Sequence, residues 1–247
     1  SEAAGIANAG GKGLGVCWGD YDGDGYPDAY VANDTVENYL YRNSGDGSFT
    51  EEAFMVGAAL SEHGEMESGM GVDWGDYDND GLPDLIVTNF QEQVATLYHN
   101  DGDGFFTDVS YPSGTGVHTF ATLGWSAVFF DYDHDGLKDL FIANGHIYTN
   151  AHEVDHTASY EQPNHLFRNL GSGVFEDVTK RVGLSARASS RGAAVADYDL
   201  DGDLDIVVTN SNSPARLLRN DGGATGGWIQ VAPPLRLAVG TRVEVVT

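Results

Sequence analysis

Basic residues are scarce in this chain. There are 12 Lys and Arg against 38 Asp and Glu, a formal net charge of -26 over 247 residues. Self-repulsion at that charge argues against nucleic acid and anionic membranes as partners and favours cations. Cys17 is the only cysteine, so no intrachain disulfide can form and cysteine usage leaves the redox compartment open. In "GVCWGDYD" it reads as a small buried hydrophobe. No stretch approaches the ~20 apolar residues of a membrane span, and no secretory leader pattern opens the chain. The sequence starts at "SEAAGIANAGG", so a targeting segment can lie upstream.

Aromatic residues and glycine, by contrast, are plentiful. At 11% aromatic, with acids punctuated by β-branched and aromatic runs, the chain is not a disordered acidic tail. The 33 glycines follow no collagen period and indicate many tight turns in an all-β chain.

A long sentence recurs four times: "WGDYDGDGYPDAYVAN" (18–33), "WGDYDNDGLPDLIVTN" (74–89), "FFDYDHDGLKDLFIAN" (129–144) and "VADYDLDGDLDIVVTN" (195–210). A second signature trails each copy, as in "YLYRNSGDGSFTEE" (39–52) and "HLFRNLGSGVFEDV" (165–178). Repeats of this period are stacked supersecondary units. Each reads as four short strands, with "SGDGS" and "NDGDG" as hairpin turns. The second strand is apolar on both faces (Ile206, Val207 and Val208 run consecutively), so it needs cover on both sides. A four-stranded antiparallel sheet sandwiched between two like sheets is a β-propeller blade. The predicted units lie near 13–56, 69–110, 122–180 and 190–231, within a repeat region over 1–226. About four blades fall in this chain, read as part of a larger propeller, because "EAAGIANAGGKGLGV" (2–16) matches a linker that elsewhere follows a fourth strand.

The aspartates are spaced D-x-D-x-D-G-x-x-D. Positions 1, 3, 5 and 9 are Asp20, Asp22, Asp24 and Asp28; Asp76, Asp78, Asp80 and Asp84; Asp131, Asp133, Asp135 and Asp139; Asp197, Asp199, Asp201 and Asp205. Position 7 (Tyr26, Leu82, Leu137 and Asp203) would offer a backbone carbonyl, and glycine at position 6 permits the sharp turn. Six or more hard oxygens suit Ca²⁺, whereas Mg²⁺ prefers more water and zinc prefers His or Cys. About four Ca²⁺ are therefore expected, one per repeat. An EF-hand would need Glu at position 12, where Val31, Val87, Ile142 and Val208 stand.

The aspartate loop together with the "LYRN-x-GDG-x-F" signature resembles the FG-GAP/VCBS repeats of integrin-α-like propellers, nearest to the cartilage acidic protein and ASPIC/UnbV group. "ANGHIY" (143–148) and "QPNHLFRNLGSGVFEDV" (162–178) are similar to that group in wording. Residues 227–247 resemble a last-blade strand and the start of an ASPIC/UnbV-like C-terminal segment, shortened around "APPLRLAV". The resemblance implies calcium-loaded propellers, commonly seven-bladed and secreted or cell-surface, with binding roles and no established chemistry.

One unit breaks the pattern. The third carries an insertion, "GHIYTNAHEVDHTASYEQPNH" (145–165), holding His146, His152, His156 and His165. "HEVDH" puts His152 and His156 four apart, as in a helical zinc site, but the segment lacks a helical apolar period. His146 is expected to hydrogen-bond the loop base, His134 to be exposed, and His63, His99 and His118 to stand alone. Trp18, Trp74, Trp125 and Trp228 read as core. "NDT" (33–35) matches a glycosylation sequon. No nucleophile elbow, Cys–His pairing or phosphate loop is present. The expected function is thus a calcium-binding, secreted, periplasmic or cell-surface propeller. It would act as a protein-binding, adhesion or assembly module with a protein or glycan partner, or as a subunit of a larger extracellular assembly. It is not expected to be an enzyme, to bind nucleic acid or to insert into a membrane. The alternative is a hydrolase or metal-dependent enzyme with a site in the 145–165 loop.

Overall fold

The computed structural model describes residues 2–7 and 10–222, so the expected last strand and the segment 227–247 lie outside the described residues. Blade 1 consists of β1 (Gly13–Gly19), β2 (Asp28–Asn33), β3 (Tyr39–Asn43) and β4 (Phe49–Glu51). Blade 2 follows with β5 (Val72–Gly75), β6 (Asp84–Val87), β7 (Thr96–Asn100) and β8 (Phe106–Asp108). A short helix, α1 (Thr115–Thr119), leads into β9 (Gly124–Phe130) and β10 (Asp139–Asn144). After the turn α2 (Ala151–Val154) and the two-residue β11 (Gln162–Pro163) come β12 (His165–Asn169) and β13 (Phe175–Asp177), which complete blade 3. β14 (Arg187–Ala188) pairs with β11. Blade 4 shows β15 (Ser190–Ala196), β16 (Asp205–Asn210) and β17 (Ser213–Leu218).

All pairings within the blades are antiparallel between successive strands of the blade (β10 with β12 in blade 3), and the register is the same in each. Trp18 faces Ala29, Trp74 faces Leu85, Phe129 faces Leu140 and Val195 faces Ile206. The repeat thus became a four-bladed array of a β-propeller, as its period predicts. The doubly apolar second strand explains why. Leu85 and Val87 look back into the joint with blade 1, while Ile86 looks forward into the joint with blade 3. All three are fully buried, each contributing roughly 1.5–3 kcal/mol.

Three apolar clusters fill the three joints. Tyr30, Leu40, Val87 and Tyr98 close blade 1 on blade 2. Ile86, Leu97, Phe129 and Phe167 close blade 2 on blade 3. Phe141, Leu166, Ile206 and Val208 close blade 3 on blade 4. The innermost strands approach so closely that a side chain at Gly15 would collide with the Met70 carbonyl, its Cβ only 2.0 Å away. Gly19 lies under the Trp74 ring and Gly75 under the Phe129 ring.

Two expectations about the core need correction. Trp74 packs in the first joint, but Trp18 is 60% exposed, because it lies on the outer face of blade 1 with no described blade against it. Trp125 is half-buried under the Arg191 guanidinium, 4.6 Å from its centroid, and Trp228 lies outside the described residues. Asn33 of the sequon is fully buried and its amide donates to the Glu37 carbonyl, so it offers no glycan acceptor here.

Candidate functional site

The connections from first to second strand in all four blades, and the turns from third to fourth in blades 1 to 3, share one end. The aspartate loops are at that end, and all four adopt one conformation. Position 6 has φ between 87° and 98° (Gly25, Gly81, Gly136 and Gly202). Position 4 is also left-handed, with Gly23 at 71°, Asn79 at 61°, His134 at 56° and Leu200 at 63°. The position-1 carboxylate accepts from the position-6 N–H (Asp20 from Gly25 at 2.9 Å, Asp131 from Gly136 at 2.9 Å). The position-5 carboxylate accepts from the position-7 N–H (Asp24 from Tyr26 at 2.9 Å, Asp80 from Leu82 at 2.8 Å, Asp135 from Leu137 at 3.0 Å, Asp201 from Asp203 at 3.0 Å).

Carboxylates from positions 1, 3 and 9 converge in each loop, with ligand atoms within 4.8 Å of one another. These sets are Asp20, Asp22 and Asp28; Asp76, Asp78 and Asp84; Asp131, Asp133 and Asp139; Asp197, Asp199 and Asp205. Position 5, expected to converge with them, turns instead to its own loop and, in blades 1 and 3, to an arginine. Arg42 bridges Asp22 and Asp24 at 2.5 and 3.2 Å, and Arg168 bridges Asp133 and Asp135 at 2.7 and 2.9 Å. In blade 2 His99 takes that place, its Nδ1 3.2 Å from Asp84 and 3.5 Å from Asp78. His99 therefore does not stand alone, and with Asp78 and Asp80 it forms a further converging set.

Position 9 does more than close a ligand shell. Asp139 is fully buried, with one oxygen accepting from the Tyr132 N–H at 2.9 Å and the other from the Asn169 N–H at 2.8 Å. Asp28, Asp84 and Asp205 repeat both contacts, tying the loop to the end of the third strand. Burial lifts the acid of Asp28 to about 6 and that of Asp139 to about 7, against the pull of those N–H bonds; Asp84 is pushed up likewise.

Sequence reasoning misses the asparagine that ends the third strand, although "RN" recurs. Its side chain reaches the preceding blade: Asn100 donates to the Tyr21 carbonyl at 3.0 Å, Asn169 to Tyr77 at 2.7 Å and Asn220 to Tyr132 at 2.8 Å.

These loops fit a hard cation. Asp133 is 7% exposed, and its Oδ1 has no hydrogen-bond partner; Asp20 Oδ1 is likewise buried and unpartnered. A buried carboxylate oxygen without a donor costs about 1–3 kcal/mol, more when charged, and a bound cation would offset it. His134, expected at the surface, has a side chain only 9% exposed, because the left-handed turn sends it toward Asp203 of blade 4, 3.7 Å away.

The opposite end of the blades carries the insertion. Its histidines separate. His165 starts β12 and faces Asp177 at 3.2 Å, while His152 and His156 are exposed on and just past a single helical turn. Among the described residues they join no metal-ligating cluster. His146 is buried and does brace the loop base: its Nδ1 accepts from the Tyr148 N–H at 3.1 Å. Burial, foremost, holds its pKa below the usual imidazole value, so the ring is neutral at pH 7. Phe90 and Tyr148 stand around it with ring centroids 5.5 and 5.6 Å away. Together with Glu92, Val154, Asp155 and Ala158 they line a cleft of about 370 Å³ between the blade 2 and blade 3 loops. Gln91 spans the two, donating to Asp155 at 2.7 Å.

A stack of like blades, each with an acidic loop at one end and one blade with a cleft-forming insertion at the other, is a repeat propeller. The chain belongs to the FG-GAP-like repeat family, which matches residues 20–87, 76–142 and 155–208. It is 24% identical to human (Homo sapiens) cartilage acidic protein 1 over 97% of this chain and 34% of that protein. It is also 24% identical to the mouse (Mus musculus) protein of that name, over 93% of this chain and 34% of that one. The chain thus spans about a third of the length of the curated relatives it matches. Among solved structures, an Agrocybe aegerita lectin that recognises non-reducing terminal N-acetylglucosamine aligns over 83% of this chain and 51% of its own. Its TM-score is 0.43 and its identity 19%. Among the described residues no helix is long and apolar enough to cross a membrane.

Proposed function

We propose that this chain is a calcium-stabilised propeller that works outside the cytoplasm as a binding or assembly module, with Ca²⁺ structural in every blade. The observation that carries it is the fourfold recurrence of one carboxylate cradle, with a buried, donor-free oxygen at Asp133. Positions 1, 3 and 9 would hold the ion. Sites of this exposed, loop-built kind belong with extracellular modules, where Ca²⁺ is abundant. The partner, a protein or glycan surface, is assigned to the cleft of Phe90, His146 and Tyr148. Its aromatic walls and the neighbouring Glu92 and Asp155 suit recognition. The cleft's one imidazole is neutral and spends Nδ1 on a backbone N–H, which favours binding over catalysis. Chelation tests the proposal. At a hundredfold excess over Kd each site adds about 2.7 kcal/mol. With roughly 2–4 °C per kcal/mol in a chain this size, losing four such sites to EGTA should lower Tm by roughly 20–40 °C, and added calcium should restore it. A melting curve indifferent to both reagents would sink the calcium reading.

A further inference from the structure

The cleft between the blade 2 and blade 3 loops combines aromatic rings with fixed negative charge. On the reading of this cleft as the partner site, we propose that it takes an arginine side chain from a basic segment of a partner protein. The guanidinium would lie against the rings of Phe90, His146 and Tyr148, with the carboxylates of Glu92 and Asp155 beside it.

Phe90 meets His146 edge to face, their planes 70° apart, and the Tyr148 ring is inclined to His146 by 48°. Rings at such angles present faces as well as edges, and the face is the negative side of an aromatic quadrupole. Cations bind there, arginine more often than lysine, because its planar guanidinium is weakly hydrated and stacks. The chain makes this contact within itself, with Arg191 4.6 Å from the Trp125 centroid.

Both carboxylates are held in place. Gln91, itself buried, donates to one oxygen of Asp155 at 2.7 Å, and the Thr157 N–H donates to the other at 2.8 Å. The Thr157 N–H, foremost, keeps this acid below the usual carboxylate range, so it is charged at pH 7. Glu92 occupies a left-handed backbone position, φ 69°, and its N–H is tied to the Phe120 carbonyl at 2.8 Å. Glycine would take that turn without strain, so a long acidic side chain kept there points to a use.

The cleft does not neutralise these charges itself. Among the described residues no lysine or arginine lines it, and burial keeps His146 neutral. Arg191 spends its N–H groups on the carbonyls of Gly145, His146 and Ser190. The side-chain amides are spent as well, Gln91 on Asp155 and Asn150 on Glu153 at 3.0 Å. A sugar needs donors as well as acceptors, whereas a guanidinium needs the ring faces and carboxylates that are left. A volume of about 370 Å³ is near the small end for ligand clefts and suits one side chain better than an oligosaccharide. The net charge of -26 would steer a basic partner toward it.

Nuclear magnetic resonance titration of the calcium-loaded chain tests the proposal. The probe is a blocked peptide with one arginine between glycines, and the same peptide with citrulline is its uncharged isostere. Amide signals of residues 90–92 and 146–158 should shift, with binding about threefold or more weaker for citrulline. Tyr148→Ala and Glu92→Gln should each weaken arginine binding roughly three- to fivefold. Asp103→Asn, the same loss of charge in the turn between β7 and β8, should leave it unaltered. Equal binding of the two peptides would overturn the proposal, as would shifts confined to the aspartate loops or a Tyr148→Ala chain that binds like its parent. Chitotriose is the third probe. If it shifts the cleft residues and the arginine peptide does not, the cleft remains a partner site and the arginine assignment falls. A melting curve unmoved by EGTA would instead remove the calcium reading and leave the peptide result standing.

Discussion

At the aspartate end, four loops share the same length, the same two left-handed positions and the same pair of carboxylate-to-backbone contacts. At the other end the second-to-third-strand connections share nothing but their place in the blade: they run over 34–38, 88–95, 145–164 and 211–212. The difference separates what the blade needs from what it is free to vary. The aspartate loop fixes how the first strand turns into the second and where the third ends, so any change there disturbs the blade itself. The opposite connections touch only their neighbours, and a binding cleft can be assembled there without cost to the repeat.

The largest effect that would break this contrast comes from the staple residues. Asp139→Ala leaves the Tyr132 and Asn169 N–H groups buried without an acceptor. At about 1–3 kcal/mol each, the loss should be roughly 2–6 kcal/mol. It should persist in EGTA, because the staple acts without metal. Asp133→Asn should cost more stability in calcium than in EGTA, since its free oxygen points into the cradle and only its ion pair with Arg168 is lost in both. Urea melts of both variants with and without EGTA check this, and an Asp139 penalty that vanishes in EGTA would make position 9 a ligand and nothing more.

A middle-sized effect belongs to the variable end. Glu67 is 9% exposed and accepts from Asn89 and Thr96; burial, foremost, lifts its pKa to about 7. An acid whose pKa is raised on folding binds its proton more tightly in the native state. Stability due to Glu67 therefore falls as pH rises from about 4.5 to about 7, by at most roughly 1.4 kcal/mol for each pH unit crossed. Glu67→Gln should flatten the Tm-against-pH curve across that window. A curve parallel to the parent's would show that the carboxyl is already ionised when folded.

The smallest expected effect returns to the aspartate loops. Leu200 is a 77% exposed leucine at φ 63°, where glycine stands in blade 1. Left-handed backbone costs a side-chain-bearing residue about 1–2 kcal/mol, and glycine's extra freedom when unfolded takes back part of that. Leu200→Gly should raise the denaturation midpoint by an amount worth up to about 1 kcal/mol. A drop would mean that position 4 is not strained in the fourth loop.

Much of this was legible in the sequence because it repeats. Four copies of one sentence reveal the blade, its turns and the loop carboxylates, and the doubly apolar second strand demands a sandwich. What was not legible depends on which blade stands next to which. Trp18 and Trp74 have the same local wording, and only the neighbouring blade buries one and leaves the other at the surface. His134 reads as exposed from its own loop and is covered by the next. The strand-end asparagines look like turn formers, and their partners lie 79, 92 and 88 residues earlier. The cleft draws Phe90 and Gln91 from blade 2, beyond any local reading of the insertion.

Those asparagines also make the loops one continuous wire. Asp84 holds the Tyr77 N–H, the Tyr77 carbonyl holds Asn169, the Asn169 N–H is held by Asp139, and through Tyr132 and Asn220 the path continues to Asp205. In a linear array of repeats, cooperativity is set by the nearest-neighbour interface term relative to the stability of each unit. Here that term includes a buried hydrogen bond whose donor and acceptor come from different blades. A corner cannot open without releasing its neighbour's, so the array is built to melt as a single unit rather than blade by blade.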